Sequence, residues 1–113
     1  MKIKELIPQP NDKVYFKLAS FKIVPKQSGC YVLTTIDNEI LYIGLSNNLF
    51  DRFQQHLGNP QKTNSTIKGK VVWFYYSIYD VTNLPKLERS WLNQYVAIHG
   101  ERPLLNNLDS PVS

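Results

Sequence analysis

Two short boxes and four later polar side chains are the residues of this sequence best suited to chemistry. The boxes are Gly29-Cys30-Tyr31 and Tyr42-Ile43-Gly44, and the later residues are Arg52, His56, Glu88 and Asn106. A phenol or imidazole can accept a proton, a guanidinium can hold an anionic oxygen, and a carboxylate can bind a divalent cation. Hydrolysis of a phosphodiester needs groups of these three kinds, so the set suits that reaction.

The two boxes are predicted to meet in a hairpin. Residues 30–36 and 39–43 are rich in β-branched and aromatic types, and Asp37-Asn38 between them is typical of a turn. Antiparallel pairing of these runs would place Tyr31, near the start of one strand, beside Tyr42, near the end of the next. Sequence separation would then become proximity in space.

A helix after the second box is predicted to carry the guanidinium and the imidazole. The candidate N-cap residues are Ser46, Asn47 and Asn48. The apolar residues that follow at helical spacing are Leu49, Phe50, Phe53 and Leu57. Arg52 and His56 fall one turn apart on one edge of that stripe. Gly58-Asn59-Pro60 is expected to end the helix, and 59–70 to form a polar loop.

A buried strand and a longer helix are predicted next. Residues 71–79 form a near-continuous apolar and aromatic run, the pattern of a strand buried on both faces. A helix then runs from an N-cap at Asn83 to Gly100, with the core stripe Leu84, Leu87, Trp91, Tyr95 and Ile98. Glu88 lies at the rim of that stripe. Residues 104–106 are expected to tuck back toward the sheet.

In order and element, these residues resemble the GIY-YIG nucleases, a family that includes the nuclease domain of a DNA-repair excinuclease and small stand-alone endonucleases. The resemblance is carried by residues 24–31, by the second box and the run to Arg52, and by Glu88 and Asn106, which match the family's Glu in a later helix and its Asn after a proline. It covers residues 24–108. It implies the GIY-YIG nuclease fold, an α/β (α+β) domain with a small, mainly antiparallel three-stranded sheet flanked by helices.

Two residues depart from the family pattern. Cys30 stands in the first box where an apolar residue is usual, and a buried cysteine behaves as a small hydrophobe. Leu45 follows the second box where many relatives carry a polar or basic residue, often Lys. If that lysine helps to deprotonate a tyrosine or holds phosphate, this chain is expected to be slower or to use another cation.

The resemblance implies a metal-dependent DNA endonuclease, of a repair, recombination or mobile-element type, that uses Mg²⁺ or Mn²⁺. Glu88 would bind the metal ion, Arg52 would hold phosphate oxygens, and Tyr31 or Tyr42 would be the general base. An unperturbed phenol with a pKa near 10 is ionised to about one part in a thousand at pH 7, so a cation must favour its ionised form, and the available groups are Arg52, His56 and the metal ion.

The remaining motif residues have supporting roles under the same resemblance. His56 would hand on a proton or contact phosphate, and Asn106 would orient other site residues or hold the C-terminal segment against the sheet. Gly29 and Gly44 are the motif glycines. The competing interpretation is a weak or inactive module of this fold that binds nucleic acid without cleaving it.

The net charge of +4 is concentrated toward the beginning of the chain. Residues 1–26 hold six lysines against Glu5 and Asp12, and the rest of the chain carries seven basic and seven acidic residues. Such a segment either contacts the phosphate backbone of a nucleic acid or is a solvated, charged leader that keeps the protein soluble. The DNA-binding residues predicted on this basis, with two later lysines, are Lys13, Lys17, Lys22, Lys26, Lys68 and Lys70. The aromatic run Trp73–Tyr76 is interpreted as core, with base stacking as the alternative.

Length and composition predict one folded domain, since the chain has 113 residues and is 42% hydrophobic. The expected organisation is a basic N-terminal arm over 1–23, loosely attached over 1–13, the nuclease domain over 24–108 and a flexible tail over 109–113. Residues 13–24 fit either a strand or a short helix. A chain of this length has no room for a separate specificity domain, so the target is expected to be selected by DNA shape, by the basic arm, by a homodimer or by a protein partner.

The single cysteine predicts a reducing compartment, because an internal disulfide is impossible. No apolar run approaches the roughly 20 residues of a membrane span. A cytoplasmic protein without a membrane partner is therefore expected.

Overall fold

The computed structural model describes residues 1–109, with side chains as far as Asn106. Its strands are β1 (Asp12–Tyr15), β2 (Gly29–Thr34), β3 (Ile40–Ser46) and β4 (Trp73–Ile78). Its α-helices are α1 (Leu49–Leu57), α2 (Pro60–Thr63), α3 (Leu84–His99) and α4 (Leu104–Asp109). Short 3-10 turns cover Ile3–Glu5, Leu18–Ile23 and Val81–Asn83. Of the predicted tail over 109–113, residue 109 ends α4 and the others lie outside the described residues.

The four strands form one antiparallel sheet in the order β1-β4-β2-β3. The predicted hairpin is confirmed as β2 and β3, in which Tyr31 lies opposite Gly44 and Leu33 lies opposite Tyr42. Three strands were expected, and the fourth is β1, which pairs with β4 at the edge of the sheet. Residues 13–24 thus contain both of the structures considered for them, a strand and then a 3-10 helix.

The two faces of the sheet carry separate cores, because successive side chains of a strand point to opposite faces. On the face covered by α1, here called the α1 face, the buried residues include Tyr31, Leu33, Tyr42, Phe53 and Phe74. On the face covered by α3, the α3 face, they include Cys30, Val32, Ile43, Trp91 and Tyr95. Residues on opposite faces can therefore share a site only at an end or an edge of the sheet.

The first residues of the chain belong to the core, so the expectation of a loosely attached segment is wrong for them. Met1, Ile3 and Leu6 are buried in the α3-face core. The indole N–H of Trp91 donates to the carbonyl oxygen of Pro8 at 2.8 Å. An irregular segment with a single 3-10 turn has no apolar period, and so its burial left no pattern in the sequence.

The segment expected as a polar loop, 59–70, contains α2 and a tight turn closed between Thr66 and Gly69. Asn59 begins α2, since its side chain accepts a hydrogen bond from the Gln61 amide at 3.0 Å, and Pro60 takes the first helical position. The Asn59-Pro60 pair therefore follows the end of α1, as expected, and also begins α2, because proline is common at the first position of a helix.

Two further expectations are corrected by burial. In β4, Phe74 and Tyr76 are buried, but Trp73 and Tyr75 on the other face are only half-buried. In α3, Ile98 is 57% exposed, so the buried stripe ends at Tyr95. Within residues 1–109, no helix is long and apolar enough to cross a membrane.

Candidate active site

Two phenols and one imidazole meet on the α1 face, where we call Tyr31, Tyr42 and His56 the phenol cluster. The Tyr31 hydroxyl lies 2.6 Å from Nε2 of His56. The ring of Tyr42 has its centre 5.8 Å from that of Tyr31 and 5.2 Å from that of His56. The residues come from β2, β3 and α1. The hairpin register and the helical spacing therefore bring together groups that are 25 residues apart in the chain.

Gly44 leaves the space that the two phenols occupy. A Cβ atom at this position would lie 2.7 Å from the Tyr31 hydroxyl oxygen and 2.8 Å from Cε1 of Tyr42. Gly29 is more tightly enclosed, since a Cβ there would lie 2.3 Å from the Ser77 carbonyl oxygen. The motif glycines thus have a steric reason, which is close packing of β2 and β3 against their neighbours.

Gly44→Ala is expected to destabilise the fold by about 1–3 kcal/mol, because the added methyl group must displace both rings of a packed core. The matched control is Gly58→Ala. Gly58 ends α1 with φ −84° and would place its Cβ 3.7 Å from the nearest atoms, so alanine there is expected to be neutral or to stabilise by up to about 1 kcal/mol. Urea unfolding measures both. Equal midpoints for the two variants would contradict the steric account of Gly44.

Tyr31 is held as a neutral phenol. Complete burial raises its pKa well above the usual value, neighbouring Tyr42 raises it further, and the Arg52 guanidinium opposes both effects. A neutral Tyr31 can donate its proton to Nε2 of His56 only if that nitrogen carries no proton. Tyr31 therefore orients the imidazole in this state.

Arg52 lies beside the phenol cluster, half-buried on α1 one turn before His56. The charge of its guanidinium lowers the pKa of the Tyr31 hydroxyl, against the effect of burial. A guanidinium keeps its charge at every accessible pH, so the cluster has a permanent cation.

Asn106 contacts the second box through the backbone. The Ile43 amide donates to Oδ1 of Asn106 at 2.9 Å, and Nδ2 donates to the Ile43 carbonyl oxygen at 2.8 Å. Both hydrogen bonds are buried. Asn106 thus holds α4 against β3 at the middle residue of the second box, which positions the box.

Glu88 does not join the phenol cluster. It is half-buried on α3, which covers the opposite face of the sheet. Burial raises the pKa of its carboxyl above the ordinary value, while Arg102 and Arg89 act in the other direction. The Cys30 thiol contacts the carbonyl oxygen of Leu84, one turn before Glu88, so this part of α3 lies against the first box, at the end of the sheet where Gly29 and Gly44 are found. The Glu88 carboxylate also raises the pKa of Cys30.

Glu88 is the metal ligand that the family resemblance implies. Among residues 1–106, no three His, Cys, Asp or Glu side chains gather into a group that could hold an ion. Mg²⁺ is commonly held by one or two carboxylates while keeping several waters, whereas structural Zn²⁺ sites require a full set of protein ligands. Glu88 therefore fits Mg²⁺ or Mn²⁺ better than Zn²⁺.

Cys30 is a packing residue. Its thiol is fully buried and contacts the Leu84 carbonyl oxygen at 3.5 Å, and burial, aided by Glu88, raises its pKa to about 12. A thiol in this state is a poor nucleophile.

The predicted DNA-binding lysines do not form one surface. Lys22 and Lys26 lie over the rings of Phe21 and Phe50, beside α1.

The other predicted lysines lie elsewhere. Lys13 lies 4.2 Å from the ring centre of Trp73, which points away from the α1 face. Lys17 lies over Tyr15, whose ring stacks on that of Trp73, and Lys68 contacts the Tyr95 hydroxyl on the α3 side. Lys70 is exposed. Tertiary structure divides the basic segment between the two faces.

Lys62 is a residue of this region that the sequence did not reveal. It is 1% exposed on α2, and its Nζ lies 4.9 Å from the ring centre of Tyr42. A single lysine in a polar stretch carries no pattern. The one available signal was the Asn59-Pro60 helix start, which predicts a short helix but not the direction of its side chains.

Fold and site together define a small α+β nuclease domain. The model of the GIY-YIG catalytic domain matches residues 27–101, and the chain belongs to the GIY-YIG family of endonucleases. It is 30% identical over 76 residues to UvrABC system protein C of Mycoplasma genitalium, which covers 66% of this chain and 13% of that protein. The same protein of Prochlorococcus marinus strain MIT 9312 is 35% identical over 65 residues, 50% of this chain and 10% of the relative. The chain thus spans about a tenth of the length of these relatives.

Proposed function

We propose that this chain hydrolyses phosphodiester bonds of DNA with the help of a divalent cation. The observation that carries the proposal is the 2.6 Å contact between the Tyr31 hydroxyl and His56, beside Arg52 and Tyr42 and within the matched region 27–101. A proton acceptor and a permanent cation are thereby held together by three elements of the fold. That arrangement suits attack of water on a phosphate.

In this mechanism Tyr42 is the general base. Burial keeps Tyr31 protonated, and its hydroxyl is occupied with His56, whereas Tyr42 is 8% exposed. Tyr42 would take the proton from the attacking water, and Arg52 would bind the phosphate oxygens on which charge develops. Tyr31 and His56 hold each other in place.

Glu88 is the proposed ligand of the metal ion. When bound, Mg²⁺ or Mn²⁺ would neutralise phosphate charge and stabilise the leaving oxygen. The chain's own contribution is one half-buried carboxylate, placed by α3 next to the first box. Because the pKa of this carboxyl is raised, it becomes protonated at a higher pH than an ordinary glutamate, and binding of the metal ion is expected to weaken as the pH falls toward that pKa.

Cleavage assays test the proposal directly. Duplex, nicked, flap and branched DNA are incubated with the protein and Mg²⁺, Mn²⁺ or EDTA. We expect cleavage of at least one substrate with metal, none in EDTA, and a rate about 100-fold lower for Tyr42→Phe, which keeps the ring and removes the hydroxyl. If the wild type cleaves no substrate with either metal, a nucleic-acid-binding module of the same fold replaces the nuclease.

DNA is expected to approach from the α1 face, and two pairs of lysines test this. Neutralising Lys22 and Lys26 to Gln should weaken DNA binding and lower the slope of log affinity against log salt by about two, because each phosphate contact contributes about one. The matched control neutralises Lys13 and Lys17, which lie over rings on the other side of β1 and β4. An equal loss of slope in both double variants would mean that DNA does not distinguish the two faces.

A cytoplasmic location and a partner for the chain are also part of the proposal. The one cysteine is buried and free, which suits the reducing cytoplasm. Selection of a particular DNA structure is assigned to a second copy of the chain or to a protein partner.

A further inference from the structure

We propose that Lys62 is a positioning residue of this site, whose ammonium group, brought over Tyr42 by α2, favours the deprotonated phenol. The inference rests on the proposed function, in which Tyr42 is the general base. Nζ of Lys62 lies 4.9 Å from the centre of the Tyr42 ring, a distance at which a cation is attracted to the face of an aromatic ring. A nearby positive charge also stabilises the phenolate that forms when the proton leaves.

Burial of Lys62 costs free energy, because its ammonium group is removed from water, and an exposed lysine has no such cost. The residue is 1% exposed, whereas lysines are almost never fully buried unless they are paired. The Asn59 carbonyl oxygen accepts a hydrogen bond from the Lys62 amide at 2.9 Å, and the Asn59 side chain caps the same turn. The backbone of α2 therefore directs this side chain into the core, toward Tyr42.

The residue after the second box cannot supply this charge. Leu45 is apolar and packs against the core of the α3 face, away from Tyr42. Lys62 reaches Tyr42 from α2 instead, on the α1 side of the sheet. The positive charge near Tyr42 thus comes from Lys62 of α2 and not from the residue that follows the second box in β3.

The other groups around Tyr42 have different effects. Tyr31 faces it from β2, and a second phenol nearby opposes ionisation. His56 faces it from α1 and is engaged with the Tyr31 hydroxyl, on which Arg52 also acts. Lys62 is therefore a cation in direct contact with the Tyr42 ring, and its loss should change Tyr42 more than Tyr31.

Titration of Tyr42 tests the inference without any need for cleavage. The protein is labelled with [¹³Cζ]tyrosine, and the Tyr42 signal is assigned with Tyr42→Phe. We expect Tyr42 of the wild type to ionise below the ordinary phenol value near 10, and its pKa to rise by about one unit in Lys62→Met. Lys62→Arg should restore the wild-type value. A wild-type Tyr42 that titrates at or above the ordinary value overturns the inference, whether or not the Met variant folds.

Cleavage supplies the second readout. In Lys62→Met, the rate at neutral pH should fall about tenfold and the pH profile should move about one unit to higher pH, since one pKa unit changes the phenolate population tenfold. Lys86→Met, which removes an exposed lysine of α3, should change neither. A lower rate with an unmoved pH profile would show a structural role only and overturn the inference. A wild type that cleaves nothing defeats the proposed function, while the titration still decides the role of Lys62.

Discussion

Arg52→Ala is expected to lower the turnover number about 100-fold or more, a loss of about 3 kcal/mol of transition-state stabilisation. The Arg52 guanidinium, whose charge acts on the Tyr31 hydroxyl, is expected to bind the phosphate, and its hydrogen bonds to the phosphate oxygens should strengthen as those oxygens gain charge. Arg52 is half-buried, outside the stripe of α1 that includes Leu49 and Phe53, so stability should change by about 1 kcal/mol or less. Single-turnover cleavage and thermal unfolding are the two measurements.

The control for Arg52 is Gln55→Ala on the exposed side of the same helix, which should leave both rate and stability close to those of the wild type. Arg52→Lys separates charge from geometry. It keeps the positive charge but loses the two-pronged donor, and so it should recover only part of the activity. Wild-type turnover in a folded Arg52→Ala would remove the guanidinium from the proposed mechanism.

Glu88→Gln is expected to abolish metal-dependent cleavage, with a loss of about 100-fold or more, while the fold becomes no less stable. The proposed metal ligand is lost, which explains the activity. Burial raises the pKa of this carboxyl above the ordinary value of 4.5, so folding disfavours its ionised form. The ionised carboxylate therefore costs stability at neutral pH, and a neutral amide of the same shape does not.

The pH dependence of that stability difference has a definite sign. The cost of the carboxylate is fully present above its raised folded-state pKa and vanishes below the ordinary value near 4.5. Thermal unfolding in EDTA should therefore show Glu88→Gln at or above the wild type at pH 7, with the two converging at pH 4. Full cleavage by the variant would refute the metal role, and marked destabilisation at pH 7 would refute the account of its burial.

The sequence by itself determined the elements that have a strong local period. Alternating β-branched and aromatic residues around Asp37-Asn38 predicted the β2–β3 hairpin, and the spacing of Leu49, Phe53 and Leu57 predicted α1. Hairpin pairing and helical spacing are short-range geometry, so these patterns also predicted that Tyr31 and Tyr42 meet. The order of the motif residues was enough to indicate the GIY-YIG family.

Tertiary structure alone decided which face of the sheet each group occupies. Glu88 is carried by α3, which packs on the face opposite the phenol cluster, and the lysines before residue 27 are divided between the two sides. The helix period places Glu88 at the rim of its own helix, but it carries no information about the face on which that helix packs. Long-range packing makes that choice.

The burial of residues that belong to no periodic apolar pattern could likewise not be predicted from the sequence. Met1, Ile3 and Leu6 enter the core from irregular backbone, and Lys62 is buried by a four-residue helix in a polar stretch. Whether such side chains turn inward depends on what covers them, and those neighbours come from α3 and β3, far away in the chain. The environment of Tyr42 is therefore a property of the folded chain, because burial and a lysine from α2 define it rather than any local motif.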